Sequence, residues 1–397
     1  MKVVNLKIEK TAFGGEGIGF FEGGKACFVE GALPGETVSA KILSEKKNFA
    51  KAHLLKILKA SSDRIQPPCP YYEACGGCQY QHVSYPAELK FKETQAREIL
   101  SRQAGIDASL IRPIESAGSE YGYRNSVTLH VSYSSKKHSL EKKTVTGFIG
   151  RDNRTLVPIQ NCLLADPRLS PIFSATMRGG QKKSDRVTFK LSEKGDIISD
   201  QEEIFFKVHL KGVSLLVNSK GFFQNNLAIT ELIADRISRW VREESPEEFF
   251  DLYAGAGTFT FLSAGEVPRV VCIEESPESI KALKMNRDEK HRESLEVIQG
   301  KVEMAFPEIF KESFKKNKMI FMDPPRQGIA QSLARFIARD CEASSVIYLS
   351  CDPTTLARDL KIILSGGKYK VLEAVPFDMF PKTSHIEVLV KLKSISI

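Results

Sequence analysis

Cys351 ends an apolar run, SSVIYLSC, and is followed at once by Asp352-Pro353 and a helix-forming stretch over 354–364. A thiol delivered to the carboxyl end of a strand, with a helix N-terminus behind it, sits where partial positive charge favours thiolate. Buried cysteine is commonly just a small hydrophobe, and Cys272 and Cys341, inside apolar segments, read that way. Three other apolar runs carry acids toward one sheet edge: EFFDLY with Asp251, RVVCIEE with Glu274 and KMIFMDPP with Asp323.

Between the first two of these lies the turn AGAGT, with Gly255 and Gly257 and with Thr260 where a dinucleotide fingerprint has its third glycine. Glu274 stands 19 residues after Gly255, a spacing at which a carboxylate accepts hydrogen bonds from both ribose hydroxyls of an adenosine cofactor. With no phosphate to cradle, a two-glycine loop suits S-adenosylmethionine better than NAD. Asp323-Pro324-Pro325 makes a stiff, non-helical turn that holds a carbonyl and a carboxylate toward the cofactor's reactive end. Glu303, after LEVIQG, is placed to face the adenine side, where a solvated surface carboxylate would stand equally well. In FPKTSHIEVLVKL, His385 and Glu387 are expected to project from one face of a strand, and a carboxylate beside a thiol nucleophile is a natural proton acceptor. A thiol next to a methyl donor implies a substrate activated by addition.

These residues need a scaffold, and the pattern supplies three segments. Residues 1–58 are short alternating runs broken by Gly14-Gly15, Gly23-Gly24 and Pro34-Gly35, the signature of a small β-barrel. Residues 59–220 form a central region: a Pro- and Cys-rich stretch without regular elements, a helix over 86–104 before Gly105, then an antiparallel sheet from about 123 to 217. From 221 to 397 strands and helices alternate and close with a pair of strands, which argues for an open, largely parallel, Rossmann-like sheet with ligands at its carboxyl edge. The fold class is multidomain α/β.

Cys69, Cys75 and Cys78 fall within ten residues around Gly76-Gly77, and Cys162 follows after 83 intervening residues. Four thiolates suit zinc or an iron–sulfur cluster, and spacing does not separate the two. The formal charge of +8 fits a polyanionic partner or a merely solvated face. No apolar stretch approaches a membrane span and MKVVNLKIEK lacks the character of a signal peptide, so a reducing, cytoplasmic setting is expected, with no membrane partner.

Taken in order, these motifs resemble the RNA 5-methyluridine methyltransferases, especially the ribosomal RNA branch, over nearly the whole chain. The resemblance implies that the first segment is a TRAM-like, OB-like RNA-binding barrel and the last a SAM-dependent methyltransferase domain. Carried over residue by residue, the cofactor contacts fall on Gln224 in GFFQNN, Tyr253, Thr258, Glu274, Glu303 and Asp323. The nucleophile falls on Cys351, the general base on Glu387, and the ligands of a 4Fe-4S cluster on Cys69, Cys75, Cys78 and Cys162. The chain departs from the family pattern at AGAGT, at Asp352 and at Lys382. A carboxylate at 352 would raise the pKa of Cys351. The implied reaction is methylation of C5 of a flipped or single-stranded uridine in RNA, with 23S ribosomal RNA as the expected target and a monomer as the expected state. Transfer RNA methylation, cytosine-C5 methylation and a silent RNA-binding scaffold are the competing readings. Lys46, Lys47, Phe49 and Lys51 are candidate phosphate and stacking contacts.

Overall fold

The computed structural model describes residues 2–134, 143–174 and 186–395. The chain forms two compact units: Met1–Gln95 with Thr146–Ile159 and Phe380–His385, and Ala96–Val145 with Gln160–Met379 and Ile386–Ile397.

In the smaller unit, strands β1 (Val3–Thr11), β2 (Gly17–Phe20), β3 (Ala26–Glu30), β4 (Thr37–Glu45) and β5 (Phe49–Lys59) close into a barrel in the order β1-β2-β3-β5-β4. Alternation decides its inside: Leu6, Ile8, Cys27, Val29, Val38, Ala40, Ala50 and Ala52 point inward, with small residues where the barrel is narrow. Gly17 and Gly19 are required on β2, because a Cβ there would come within 2.5 Å of the Ala32 carbonyl oxygen and 2.7 Å of that of Lys7. Helix α1 (Tyr85–Ala104) begins one residue before the expected 86–104 and ends where expected. In its first turns Glu88 and Lys92 are fully buried; Lys92 Nζ donates to Glu88 Oε1 at 2.8 Å, and Glu88 also lies 3.3 Å from Nζ of the equally buried Lys382. A lone buried charge of either sign would cost several kcal/mol (about 3–5), so these residues stand or fall together.

Strands β6 (Ser126–Ser134), β7 (Lys143–Ile149) and β8 (Leu156–Pro158), the short helix α2 (Pro171–Ser174), and strands β9 (Arg186–Leu191), β10 (Ile197–Ser199), β11 (Phe205–Leu210) and β12 (Val213–Asn218) follow. The antiparallel pairs are β6 with β9, β9 with β10, and β7 with β8, and β11 with β12 forms a separate hairpin. The 123–217 region therefore holds more than one sheet.

The larger unit is built on seven strands in the order β15-β14-β13-β16-β17-β19-β18. They are β13 (Glu248–Leu252), β14 (Arg269–Glu274), β15 (Leu295–Gln299), β16 (Lys318–Met322), β17 (Ser345–Ser350), β18 (Tyr369–Phe377) and β19 (Glu387–Ser394). The helices are α3 (Leu227–Glu244), α4 (Thr258–Ser263), α5 (Pro277–Glu289), α6 (Val302–Glu312), α7 (Gln331–Arg339) and α8 (Pro353–Ser365). The first five strands in that order are parallel, and β13, β16 and β17 are buried along their whole length, as covering on both faces demands; β19 runs antiparallel to β17 and β18. Helix α6 was not anticipated by the pattern, because Pro307 lies inside it. Its missing hydrogen bond is offset by the burial of Phe306 and Phe310 in an aromatic cluster with Phe250 and Phe336. Among the described residues no helix is long and apolar enough to cross a membrane.

Candidate active site

Chain order reverses between β13 and β16: β14 and β15 grow to one side of β13, and β16 and β17 to the other. A crevice opens at the carboxyl ends of such strands, and ligands of doubly wound sheets bind there. The register carries Tyr253, Glu274 and Asp323 to that edge, each directly at or one residue past the last paired position of its strand.

The AGAGT turn is held by Glu274. Its Oε2 accepts from Gly255 N–H at 2.8 Å, while Oε1 accepts from the N–H groups of Glu275 and Ser276 at 2.8 and 2.7 Å. Three backbone donors fix the carboxylate before any ligand arrives. Gly255 and Gly257 both have positive φ, and a Cβ on Gly257 would meet Leu283 at 2.6 Å, whereas one on Gly255 would meet nothing within 4 Å. Room therefore remains above Gly255 for a ligand. Thr260, in the place of a third glycine, is fully buried and donates its hydroxyl to Asp251. Thr258 is buried in the first turn of α4. Tyr253 is itself at φ 66°, and burial, with the charges of Glu303 and Asp359, pushes its phenol up. Glu303 lies in the first turn of α6 rather than in a loop. Gln224 Nε2 donates to Asp323 Oδ2 at 3.1 Å. Burial, with the charge of Asp251, raises the Asp323 carboxyl to about 7 against that hydrogen bond. This edge offers carboxylates, an amide and an open glycine surface, a donor set that fits an adenosine carrying an amino-acid tail.

On the neighbouring strands, Ser350 of β17 pairs with Val388 of β19. Carried one residue further, that register sets Cys351 across from Glu387. Glu387 is only 5% exposed, and burial, then Asp323, pushes its carboxyl well above the usual range while Arg326 opposes. Cys351 is half-buried, and its thiol is pushed up to about 12 by burial, then by Glu387 and Asp323, again against Arg326. Burial and the two carboxylates oppose the helix N-terminus behind the thiol and favour its neutral form. Asp352 is the N-cap of α8, its Oδ1 accepting from the N–H groups of Thr354 and Thr355 at 2.8 and 3.2 Å. The carboxylates that press on Cys351 are Glu387 and Asp323 rather than Asp352.

His385 and Glu387 do not share a strand face: β19 begins at Glu387, and His385 precedes it, its ring edge-on to Phe380 at 5.9 Å. Sequence reasoning also passed over Arg326, although it directly follows the quoted Asp-Pro-Pro, and Phe222, which is 67% exposed two residues before Gln224. A single cation beside a cluster of acids was the available signal for the first. In the barrel, Lys46 Nζ lies 5.4 Å from the Phe49 ring centre, and Lys51 is paired with Glu16.

Cys69 and Cys75 are half-buried and Cys78 buried in the smaller unit; Cys162 belongs to the larger. Gly77 N–H points to Cys75 Sγ at 3.4 Å and Gln81 Nε2 to Cys78 Sγ at 3.1 Å. Among the described residues no group of three or more His, Cys, Asp or Glu side chains stands at metal-binding spacing, and none of the cysteines is in a disulfide. Cys27, Cys272 and Cys341 are core.

A doubly wound sheet with carboxylates, an amide and an open glycine turn at its carboxyl edge, and a thiol and a buried acid beyond them, is the architecture of an α/β methyltransferase. The model of the tRNA (uracil-5-)-methyltransferase family matches residues 188–395, and that of the TRAM domain residues 1–55. An uncharacterized RNA methyltransferase of Listeria monocytogenes is 30% identical, covering 98% of this chain and 96% of its own length. Another from Thermotoga maritima is 28% identical, covering 98% of each. The crystal structure of the Pyrococcus abyssi tRNA (uracil-54, C5)-methyltransferase in complex with S-adenosyl-L-homocysteine has the same fold, with a TM-score of 0.72 over 98% of this chain and all of that one at 20% identity. The chain belongs to the tRNA (uracil-5-)-methyltransferase family, and is an S-adenosylmethionine-dependent RNA (uracil-5-)-methyltransferase with an N-terminal TRAM domain.

Proposed function

We propose that the enzyme methylates C5 of one uridine in ribosomal RNA, 23S RNA in particular, through a covalent bond from Cys351 to C6. The observation that carries this reading is the β17–β19 register, which brings a thiol and a buried carboxylate together beside Asp323. When bound, S-adenosylmethionine supplies the methyl group that C5 takes up; Gln224, Tyr253, Thr258, Glu274, Glu303 and Asp323 would hold it. C5 of uracil is too weak a nucleophile unaided; addition of the Cys351 sulfur to C6, with the thiol proton taken up at O4 of the base, makes an enol whose C5 can attack, and that O4 proton leaves to solvent as C5 takes up the methyl group. Glu387, as the carboxylate, then removes the C5 proton, and elimination expels the Cys351 thiolate, which takes the proton back from Glu387. Phe222 offers an exposed ring on which a flipped base could stack.

Labelled methyl transfer to uridine against cytidine in RNA, followed by mapping of 5-methyluridine in ribosomal and transfer RNA from cells lacking the protein, tests the substrate. Cys351→Ala is expected to fall to background, and Glu387→Gln to trap an RNA adduct that survives denaturing electrophoresis. A fully active Cys351→Ala enzyme would end the covalent reading. Incorporation into transfer RNA alone would move the assignment to that substrate, which the Pyrococcus relative's name also fits.

The same proposal includes a 4Fe-4S cluster on Cys69, Cys75, Cys78 and Cys162, in a cytoplasmic enzyme acting as a monomer. Its support is three thiols around a CGGC turn, two of them receiving N–H donors of the kind that tune cluster sulfurs. Gly76 is needed in that turn, since a Cβ would press on the carbonyl oxygens of Ile149 and Gly150 at 3.0 Å. Anaerobically purified protein should be brown and contain iron and sulfide in about equal amounts. Colourless protein carrying zinc would replace the cluster by a zinc site.

A further inference from the structure

We propose that Asp359, on the helix that follows Cys351, is a positioning residue for methyl transfer: it locks the turn after Asp323, which carries Arg326, to the strand that delivers the thiol. Asp359 is fully buried. Its Oδ2 accepts from Ile329 N–H, where the turn ends, at 3.0 Å, and from the Tyr348 hydroxyl, on β17 three residues before Cys351, at 2.7 Å. Its Oδ1 accepts from Arg358 Nε at 2.8 Å, and Arg358 Nη2 in turn donates to the Gln327 carbonyl at 2.8 Å. Thr355, one turn earlier on α8, donates its hydroxyl to the Arg326 carbonyl at 3.2 Å.

One carboxylate thus joins three parts of the chain: the strand before the nucleophile, the helix after it and the turn bearing the cation that faces both Cys351 and Glu387. The packing is close enough to exclude a methyl group. Gly328 has φ +75°, and a Cβ there would lie 2.3 Å from Asp359 Oδ2. None of these groups needs to touch RNA or cofactor. Their effect is to keep Arg326 and Cys351 at a set separation while a base enters, and displacement of reacting groups by about 1 Å costs on the order of 100-fold in rate.

The inference rests on the covalent reading above, and its test separates the two. Asp359→Asn keeps the side-chain shape but turns one acceptor into a donor facing donors; Gly328→Ala pushes on the same oxygen and removes no hydrogen-bonding group. Both are expected to lower single-turnover methyl transfer roughly 10- to 100-fold, with S-adenosylmethionine affinity by calorimetry changed less than about 3-fold, since Glu274, Gly255 and Gln224 make their hydrogen bonds with other groups. Asp359→Glu should recover less than wild-type rate, because a longer arm cannot meet Ile329 and Tyr348 together. Melting curves accompany each variant, and if Asp359→Asn does not fold, Gly328→Ala carries the comparison. Folded Asp359→Asn or Gly328→Ala enzyme with wild-type turnover would overturn the proposal while leaving Cys351 in place. Parallel loss of cofactor binding and rate would reduce Asp359 to a fold-stabilising residue and also overturn it. An active Cys351→Ala enzyme, assayed alongside, would remove the premise and the proposal together.

Discussion

Asp251 lies beneath the cofactor edge, 1% exposed, with Oδ1 having no hydrogen-bond partner among the described residues and its other oxygen receiving the Thr260 hydroxyl. Burial, with the nearby charge of Glu274, raises its pKa from 3.8 to about 7. Below about pH 4 the acid is neutral whether the chain is folded or not, and no stability is lost. As pH rises from about 4 to about 7 the unfolded chain ionises first, so folding loses stability; above about 7 the loss is constant. The full loss is no more than about 4 kcal/mol at about 1.4 kcal/mol per pH unit. Asp251→Asn should therefore flatten the decline of urea midpoint between pH 5 and 8, and be at least as stable as wild type at pH 8. An unchanged slope would assign the titration elsewhere. At this scale the candidate residues were legible because acids and a thiol interrupt apolar runs, a costly placement unless chemistry or pairing requires it. Their ionisation was not legible, since the pKa of Cys351 depends on Glu387 and Asp323, 36 and 28 residues away in sequence.

Most elements of the catalytic sheet are visible as alternating apolar runs and capped helices. Asn226, Ser276 and Asp352 cap α3, α5 and α8 with their side chains, and Pro follows at the first turn of the last two. The exceptions have local causes. Pro307 hid α6, whose stability comes from aromatic contacts with Phe250 of β13 and Phe336 of α7. The closing strand reads as starting at His385, yet it starts at Glu387, after a turn at Lys382, a non-glycine residue at φ 65° whose N–H is taken by Glu88 at 2.6 Å. The AGAGT turn is the element most sensitive to substitution. Gly257→Ala would require φ +85° of an alanine and drive its methyl onto Leu283 and Phe261 at 2.6–2.9 Å. A cost of about 1–3 kcal/mol in stability is expected, with at least a 10-fold loss of S-adenosylmethionine affinity by calorimetry. Wild-type affinity in this variant would show that the turn does not shape the cofactor site.

For the whole molecule, an excess of +8 charges favours a polyanion, and binding should weaken as salt rises, because the counterions that binding releases then enter a more concentrated bath. The exposed turn between β4 and β5 concentrates part of that charge in Lys46 and Lys47, beside the half-buried Phe49. Neutralising both by Lys46→Gln and Lys47→Gln is expected to raise the KM for RNA with little change in kcat. The slope of log affinity against log salt should fall by about 1 to 2, at roughly 0.7–0.9 per phosphate contact. A slope identical to wild type would place the phosphate contacts elsewhere. Lys51 is a poorer candidate for the same role, because Glu16 already holds it.

By itself the sequence determined the barrel, the alternation of strands and helices, the two-glycine turn and the list of acids and thiols, because periodicity, turn residues and capping are local properties of a chain. Only the tertiary structure decided which of those residues meet. An antiparallel β19 inserted between β17 and β18 brings Glu387 opposite Cys351, and the reversal of chain order between β13 and β16 opens the crevice that Asp323 and Glu274 edge. Strand order and direction are set by burying both faces of the whole sheet at once, and no segment carries that information alone.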